Sequence, residues 1–106
     1  VAVDYLYENE TRVSRACVVK KDNLYQMWYC YAIGTGGYNM GYGVSEDGYS
    51  FQRKDKDVGI TLSDSGWDSE MICYPHVFNH KGHTYMLYCG NGYGRTGFGI
   101  AKLMED

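Results

Sequence analysis

The sequence predicts an all-β, β-propeller-like protein, with two blade repeats of four antiparallel strands in a chain of 106 residues. Three observations point there. Tyr and Gly are abundant, at 12 and 14 residues, while Pro occurs once, a composition of strands and tight turns rather than helices. The chain also repeats itself. ACVVKKDNLYQMWYC at 16–30 aligns with PHVFNHKGHTYMLYC at 75–89, an offset of 59 that sets Val18 on Val77, Met27 on Met86, Tyr29 on Tyr88 and Cys30 on Cys89. Finally, the second strand of the unit is apolar or aromatic on both faces: Leu24, Gln26, Trp28 and Cys30 on one, Tyr25, Met27, Tyr29 and Tyr31 on the other. A sheet with one wet face alternates cleanly, whereas a blade stacked between two others hides both faces.

The elements follow in order within a single domain. Repeat one runs from about 14 to 53, with strands at 16–20, 24–31, 38–45 and 49–53. Lys21-Asp22-Asn23 turns the first pair, and IGTGG loops to the third strand. Glu46-Asp47-Gly48 makes a hairpin turn, because Asp-Gly supplies the positive φ such turns need. The polar stretch 54–70 is a linker. Repeat two runs from about 72 to 103, with strands at 75–79, 84–89 and 97–102. GYGVS at 41–45 matches GFGIA at 97–101 with an offset of 56, which makes the preceding loop three residues shorter in the second copy. Repeat two lacks a fourth strand of its own. The alternating segment Val1–Tyr7 is expected to complete it, in the same chain or a neighbour's. Propellers generally close with about four to eight blades, so two predict head-to-tail self-association into a homo-oligomer or membership of a longer propeller.

The charge of -3 and pI near 5.5 disfavour nucleic acid as a partner, which calls for a basic stripe. No apolar stretch approaches the roughly 18 residues of a membrane span, and the opening VAVDYLYENE is acidic where a signal peptide is basic. Cys17, Cys30, Cys73 and Cys89 form no C-x-x-C pair. They read as reduced, buried thiols of a cytoplasmic protein, with a disulfide between neighbouring strands as the alternative. GNGYGRTGFG at 90–99 is glycine-rich but does not join a strand to a helix, so it reads as a loop rather than a nucleotide cradle.

Three stretches, SRACVVKKDNLYQMWYCYA, YGVSEDGYSFQRKD and WDSEMICYPHVFNHKGHTYMLYCGNGYG, resemble the five-bladed propellers of glycoside hydrolase families 43 and 32, and most closely the uncharacterised relatives of those enzymes. The resemblance runs from about Ser14 to Ala101. It implies carboxylates near the central channel at the start of each blade's first strand. One Asp directly precedes the strand's proline, and an acid Glu lies two residues before the matching proline of another blade. One such carboxylate serves the nucleophile, the other donates a proton to the leaving oxygen, and they stand about 5–9 Å apart. Here those positions hold Arg15 and Tyr74, and Ser14 and Cys73. None is a carboxylate.

The nearest acids are Asp68 and Glu70, the candidate catalytic pair; otherwise they are loop acids that cap turns or pair with Arg15. Arg15 suits a sugar hydroxyl, a carboxylate or a phosphate, or ties the blades together through Glu70. Tyr74 and Trp67, with Tyr31 and Tyr93, offer flat faces for sugar rings, and His76 beside Pro75 is placed to face the channel. His80 and His83 belong to a turn. Asp68, Glu70 and His76 lack the spacing of a metal site, so neither metal nor cofactor is expected. Three functions fit: a carbohydrate-recognising module with its catalytic carboxylates missing; a glycosidase or sugar-transfer enzyme using Glu70 as acid in a site formed by oligomerisation; or a structural remnant of a larger propeller.

Overall fold

The computed structural model describes residues 1–104. They form two antiparallel sheets. The first contains β1 (Glu10–Lys21), β2 (Leu24–Ile33), β3 (Asn39–Ser45) and β4 (Gln52–Arg53) in that order. The second contains β5 (Cys73–His80), β6 (His83–Cys89) and β7 (Phe98–Lys102), also in sequence order. The protein is nearly all-β and propeller-blade-like. Its other elements among the described residues are a 3₁₀ turn at Asp55–Asp57 and an irregular turn at Asn91–Gly94 with left-handed angles at Gly92 and Tyr93.

β1 begins six residues earlier than expected, at Glu10 rather than Ala16. β4 is cut to two residues because the S-x-D-G turn reaches further. Ser45 Oγ accepts from the Gly48 amide at 2.9 Å, and Asp47 Oδ1 accepts from the Tyr49 and Ser50 amides at 2.8 and 3.0 Å. Residues 46–50 are thereby held in turn geometry, although 49 and 50 were expected in a strand.

Strand pairing places the two sheets in matching register over their first two strands. Val18 pairs with Met27 as Val77 pairs with Met86, and Ser14 pairs with Cys30 as Cys73 pairs with Cys89. The third strand differs from expectation. Tyr29 pairs with Gly41, and Tyr88 pairs with Gly99; that offset of 58 replaces the expected 56. A slip of two residues keeps every side chain on its own face, so the hydrophobic pattern alone does not detect it.

The core lies between the sheets. Trp28, Met40, Ile72, Val77, Met86 and Tyr88 are buried there, with Cys17, Val19 and Ala101 packed around them. A second buried group, Cys30, Ala32, Tyr38 and Cys73, continues the interface towards the start of β5. Cysteine sulfurs join the sheets directly: Cys30 Sγ accepts from the Tyr74 amide at 2.8 Å, and Cys17 Sγ from the Val77 amide at 3.3 Å. All four cysteines are free thiols, and burial pushes the Cys30 thiol up to about 12 and the Cys73 thiol up to about 11.

Both faces of β2 are hidden, as its composition requires, but only one by a sheet. On the other face the N-terminal segment takes the place of a neighbouring blade. Tyr7 stacks on Tyr31 at 5.3 Å and donates to Asp55 at 2.8 Å. The Arg53 guanidinium lies about 5 Å from the rings of Tyr7, Tyr29 and Tyr31 and pairs with Glu10 at 2.7 Å and Asp55 at 2.8 Å. Val1–Tyr7 is therefore not a strand completing the second sheet of its own chain. Its backbone runs beside β4, where the Ala2 carbonyl accepts from the Phe51 amide at 3.0 Å and the Asp4 carbonyl from Arg53 at 3.0 Å. The alternation in VAVDYLY is not realised as one buried face: Tyr7 turns inward to the buried cation while Tyr5, two residues before it, and Leu6 stay exposed.

Candidate functional site

Among the described residues five non-glycine residues hold a positive φ: Arg15, Asp22, Tyr74, Lys81 and Tyr93. Asp22 and Lys81 occupy the turns between the first two strands of each sheet, where such angles are ordinary. The other three meet at one place. Arg15 stacks over the Tyr74 ring at 4.7 Å, and Tyr74 stacks on Tyr93 at 5.9 Å. A left-handed φ costs a side-chain-bearing residue of order 1–3 kcal/mol, and such strain gathers at functional sites.

The first two angles arise from one device used twice. Between Ser14 and Cys17 on β1, and between Cys73 and His76 on β5, one extra residue interrupts the pairing with the next strand. These are β-bulges, which bend a strand and re-aim a side chain. Arg15 at φ 55° and Tyr74 at φ 56° hold the same position in the two bulges. Their side chains are thus turned out of the sheets and onto each other. Tyr93 reaches the pair from the turn at Asn91–Gly94, at φ 60°.

Two residues that sequence reasoning missed complete the cluster. Tyr38 is buried and packs at 6.5 Å from Tyr74 and 6.0 Å from Tyr93. Arg12 lies over the Tyr38 ring at 4.9 Å and donates to the Gly36 carbonyl at 2.9 Å. Its buried Nε has no hydrogen-bond partner among the described residues. The missed signal was the i, i+3 spacing of Arg12 and Arg15, invisible as a shared site until the bulge between them is known. Burial pushes the Tyr74 hydroxyl above its usual value, and the neighbouring thiol and tyrosines push the same way while Arg15 opposes them. Arg15 is exposed, Tyr93 is 47% exposed, and neither arginine is in an ion pair among the described residues. Two cations on the faces of adjacent rings, opening to solvent through Arg15 and Tyr93, can stack a sugar ring and donate several hydrogen bonds to it.

The remaining sequence candidates are dispersed. Asp68 is buried and accepts from the Tyr88 hydroxyl at 3.3 Å, and burial followed by this carboxylate raises the Tyr88 pKa. Glu70 is exposed and pairs with neither arginine; its amide donates to Asn91 Oδ1 at 2.7 Å. Asn91, also unanticipated, is a buried clamp: its side chain also accepts from the Met71 amide and donates to the Gly66 carbonyl. Trp67 stacks on Tyr88 at 5.5 Å and fills the space a β-carbon would take at Gly90 and Gly99. It is a packing residue. His76 is exposed and stacks on Phe78 at 5.9 Å. Among the described residues no three His, Cys, Asp or Glu side chains are gathered to hold a metal ion, and no helix is long and apolar enough to cross a membrane.

A groove of about 290 Å³ lies elsewhere, lined by Trp28, Val77, Met86, Ala101, Lys102 and Leu103 among others. Its walls are mainly apolar, with Thr84, Tyr85 and Lys102 as polar side chains in the lining.

No family model matches the chain. Two curated relatives from Mycobacterium tuberculosis are similar: Uncharacterized protein MT1551 of strain CDC 1551 / Oshkosh, 46% identical over 103 residues, and Uncharacterized protein Rv1502 of strain ATCC 25618 / H37Rv, 45% identical over 103 residues. Each alignment takes in 97% of this chain and 34% of the relative, so the chain spans about a third of the length of the curated relatives it matches. A solved structure titled "Glycoside hydrolase" superposes with a TM-score of 0.75 at 18% identity, over 99% of this chain and 30% of that one. This likeness shows the fold: the chain is folded as part of a glycoside hydrolase is.

Proposed function

We propose that this chain is a carbohydrate-recognising, β-propeller-like module related to glycoside hydrolases of the family 43 and 32 type, built of two blade repeats, and that it takes a sugar-like ligand on Arg15, Tyr74 and Tyr93. The observation that carries this reading is the meeting of three strained residues, two of them aimed by matching bulges. Packing alone gives no reason to hold an exposed Arg and two Tyr at left-handed angles. Recognition without turnover follows from the residues at the strand starts, which are not carboxylates, and from Asp68, which is engaged with Tyr88. In this reading further blades close the ring through self-association, with the outer edge of β7 and its exposed Phe98 and Ile100 as a joining surface.

One observation favours the glycosidase reading: Glu70 is exposed beside the Asn91 turn that carries Tyr93. The two readings part on a pair of variants. Arg15→Ala is expected to abolish binding on a glycan array, by at least about tenfold in affinity, while the protein keeps its fold and shows no turnover of aryl glycosides. Turnover that disappears in Glu70→Gln would instead establish the enzyme. Array binding unaffected by Arg15→Ala would contradict the site.

A further inference from the structure

We infer that the ligand of this cluster is an acidic sugar, one carrying a carboxylate or phosphate that Arg15 and Arg12 hold together; the inference rests on the recognition reading above. Arginine donates hydrogen bonds and accepts none. A neutral sugar presents hydroxyls that both donate and accept, and a site built for one supplies acceptors as well. Around Arg12 and Arg15 the balance is tilted to donors. The Arg12 guanidinium lies on Tyr38 and gives one N–H to the Gly36 carbonyl, the Arg15 guanidinium lies on Tyr74, and the Ser14 hydroxyl donates to Tyr38 at 3.3 Å. Neither cation is neutralised by a carboxylate among the described residues, in a chain of net charge -3. Buried Arg53 shows the contrast, with one carboxylate on each side.

The orphaned Arg12 Nε points the same way. A buried donor without a partner costs about 1–3 kcal/mol, and native structures rarely leave one so. Arg12 lies on Tyr38, Arg15 on Tyr74, and those rings are 6.5 Å apart. The two guanidiniums therefore sit on adjacent rings; Arg12 gives one N–H to the Gly36 carbonyl, which leaves its other donors and those of the exposed Arg15 for an oxyanion. The planar fork of a guanidinium matches carboxylate and phosphate oxygens two at a time. Of the three tyrosines, Tyr93, 47% exposed, is the one open to the sugar ring itself.

The test titrates the whole chain with matched panels: neutral glucose, galactose and mannose; the same three oxidised to uronates; the same three as 6-phosphates; and inorganic phosphate alone. Binding is read by calorimetry and ligand-observed NMR. At least one acid is expected to bind about tenfold or more tightly than its neutral parent, with affinity falling as salt rises. Arg15→Gln, and separately Arg12→Gln, are expected to remove that preference while circular dichroism stays unchanged. If a neutral sugar binds as tightly as its acids, or both variants keep the preference, the acidic-sugar inference is overturned and the recognition reading stands. If inorganic phosphate binds as tightly as every sugar phosphate, the anion site stands and sugar recognition falls. If nothing binds up to about 50 mM, a level weaker than any specific affinity, both are overturned.

Discussion

Arg53→Met is expected to lower stability by about 3–5 kcal/mol, the usual cost of leaving a buried charge without its partner. The Arg53 side chain is 6% exposed, and those of Glu10 and Asp55 are 0% and 4% exposed. Methionine fills much of the volume but neutralises neither carboxylate. The rings of Tyr7, Tyr29 and Tyr31 lose the cation on their faces as well. At roughly 4–8 °C per kcal/mol for a domain of this size, the melting temperature should fall by more than about 12 °C. A thermal melt followed by circular dichroism reads this; a fall under about 4 °C would show the network to be dispensable.

The deficit is also expected to depend on pH. Burial pushes the Asp55 carboxyl up, but hydrogen bonds from Tyr29, the Tyr42 amide, Arg53 and Tyr7 outweigh it and hold the group below its ordinary range. A carboxylate lowered in the folded state contributes stability above its unfolded pKa and loses it as pH falls through the folded value. The gap between parent and variant should therefore hold at neutral pH and narrow as pH falls below the ordinary value of 3.8 and through the lower folded value. Tyr29 works at the other extreme: burial, then Asp55, raises its hydroxyl well above the usual 10.0. Stability from the neutral phenol is complete below that usual value and drains away as pH climbs past it.

Trp67→Ala is expected to cost about 3 kcal/mol, the lower end for a large aromatic because the ring is only partly buried. The indole stacks on Tyr88 and roofs two glycines; the Trp67 backbone carbonyl, which accepts from the Asn91 amide at 2.7 Å and Thr96 Oγ1 at 2.8 Å, is kept in the variant. The measurement pairs chemical denaturation with ligand titration below the transition. In the packing role described here, stability falls and affinity stays within about twofold. A ring that stacked a sugar would give the reverse, with affinity down about tenfold and stability little changed.

The shared register of the two sheets was legible because Met and Tyr recur at the same strand positions, where Met27, Met86, Tyr29 and Tyr88 are buried. Arg15 and Tyr74 were legible for a related reason: each immediately precedes the first conserved-length strand segment of its copy. The bulges that turn them together were not. Positive φ is announced by Gly or Asn, and Arg and Tyr carry no such signal. Asp68 and Glu70 looked equivalent as neighbours in a polar linker, yet one is buried beneath Tyr88 and the other left in solvent. That division depends on the Asn91 clamp, which arrives from 21 residues away. The N-terminal segment misled through its alternation: of Val1, Val3, Tyr5 and Tyr7 only Val3 and Tyr7 are part-buried. Here the burying partner is a cation held by two carboxylates, a long-range arrangement that periodicity does not encode.

The most direct measurement is an amide and arginine side-chain NMR titration of the ¹⁵N-labelled chain with an acidic sugar. The account expects shifts concentrated at Arg12, Arg15, Tyr38, Tyr74 and Tyr93, including the Arg12 Nε resonance. Shifts confined to the apolar groove at Trp28, Val77 and Met86, with the Arg15 and Tyr74 signals unmoved, would contradict it.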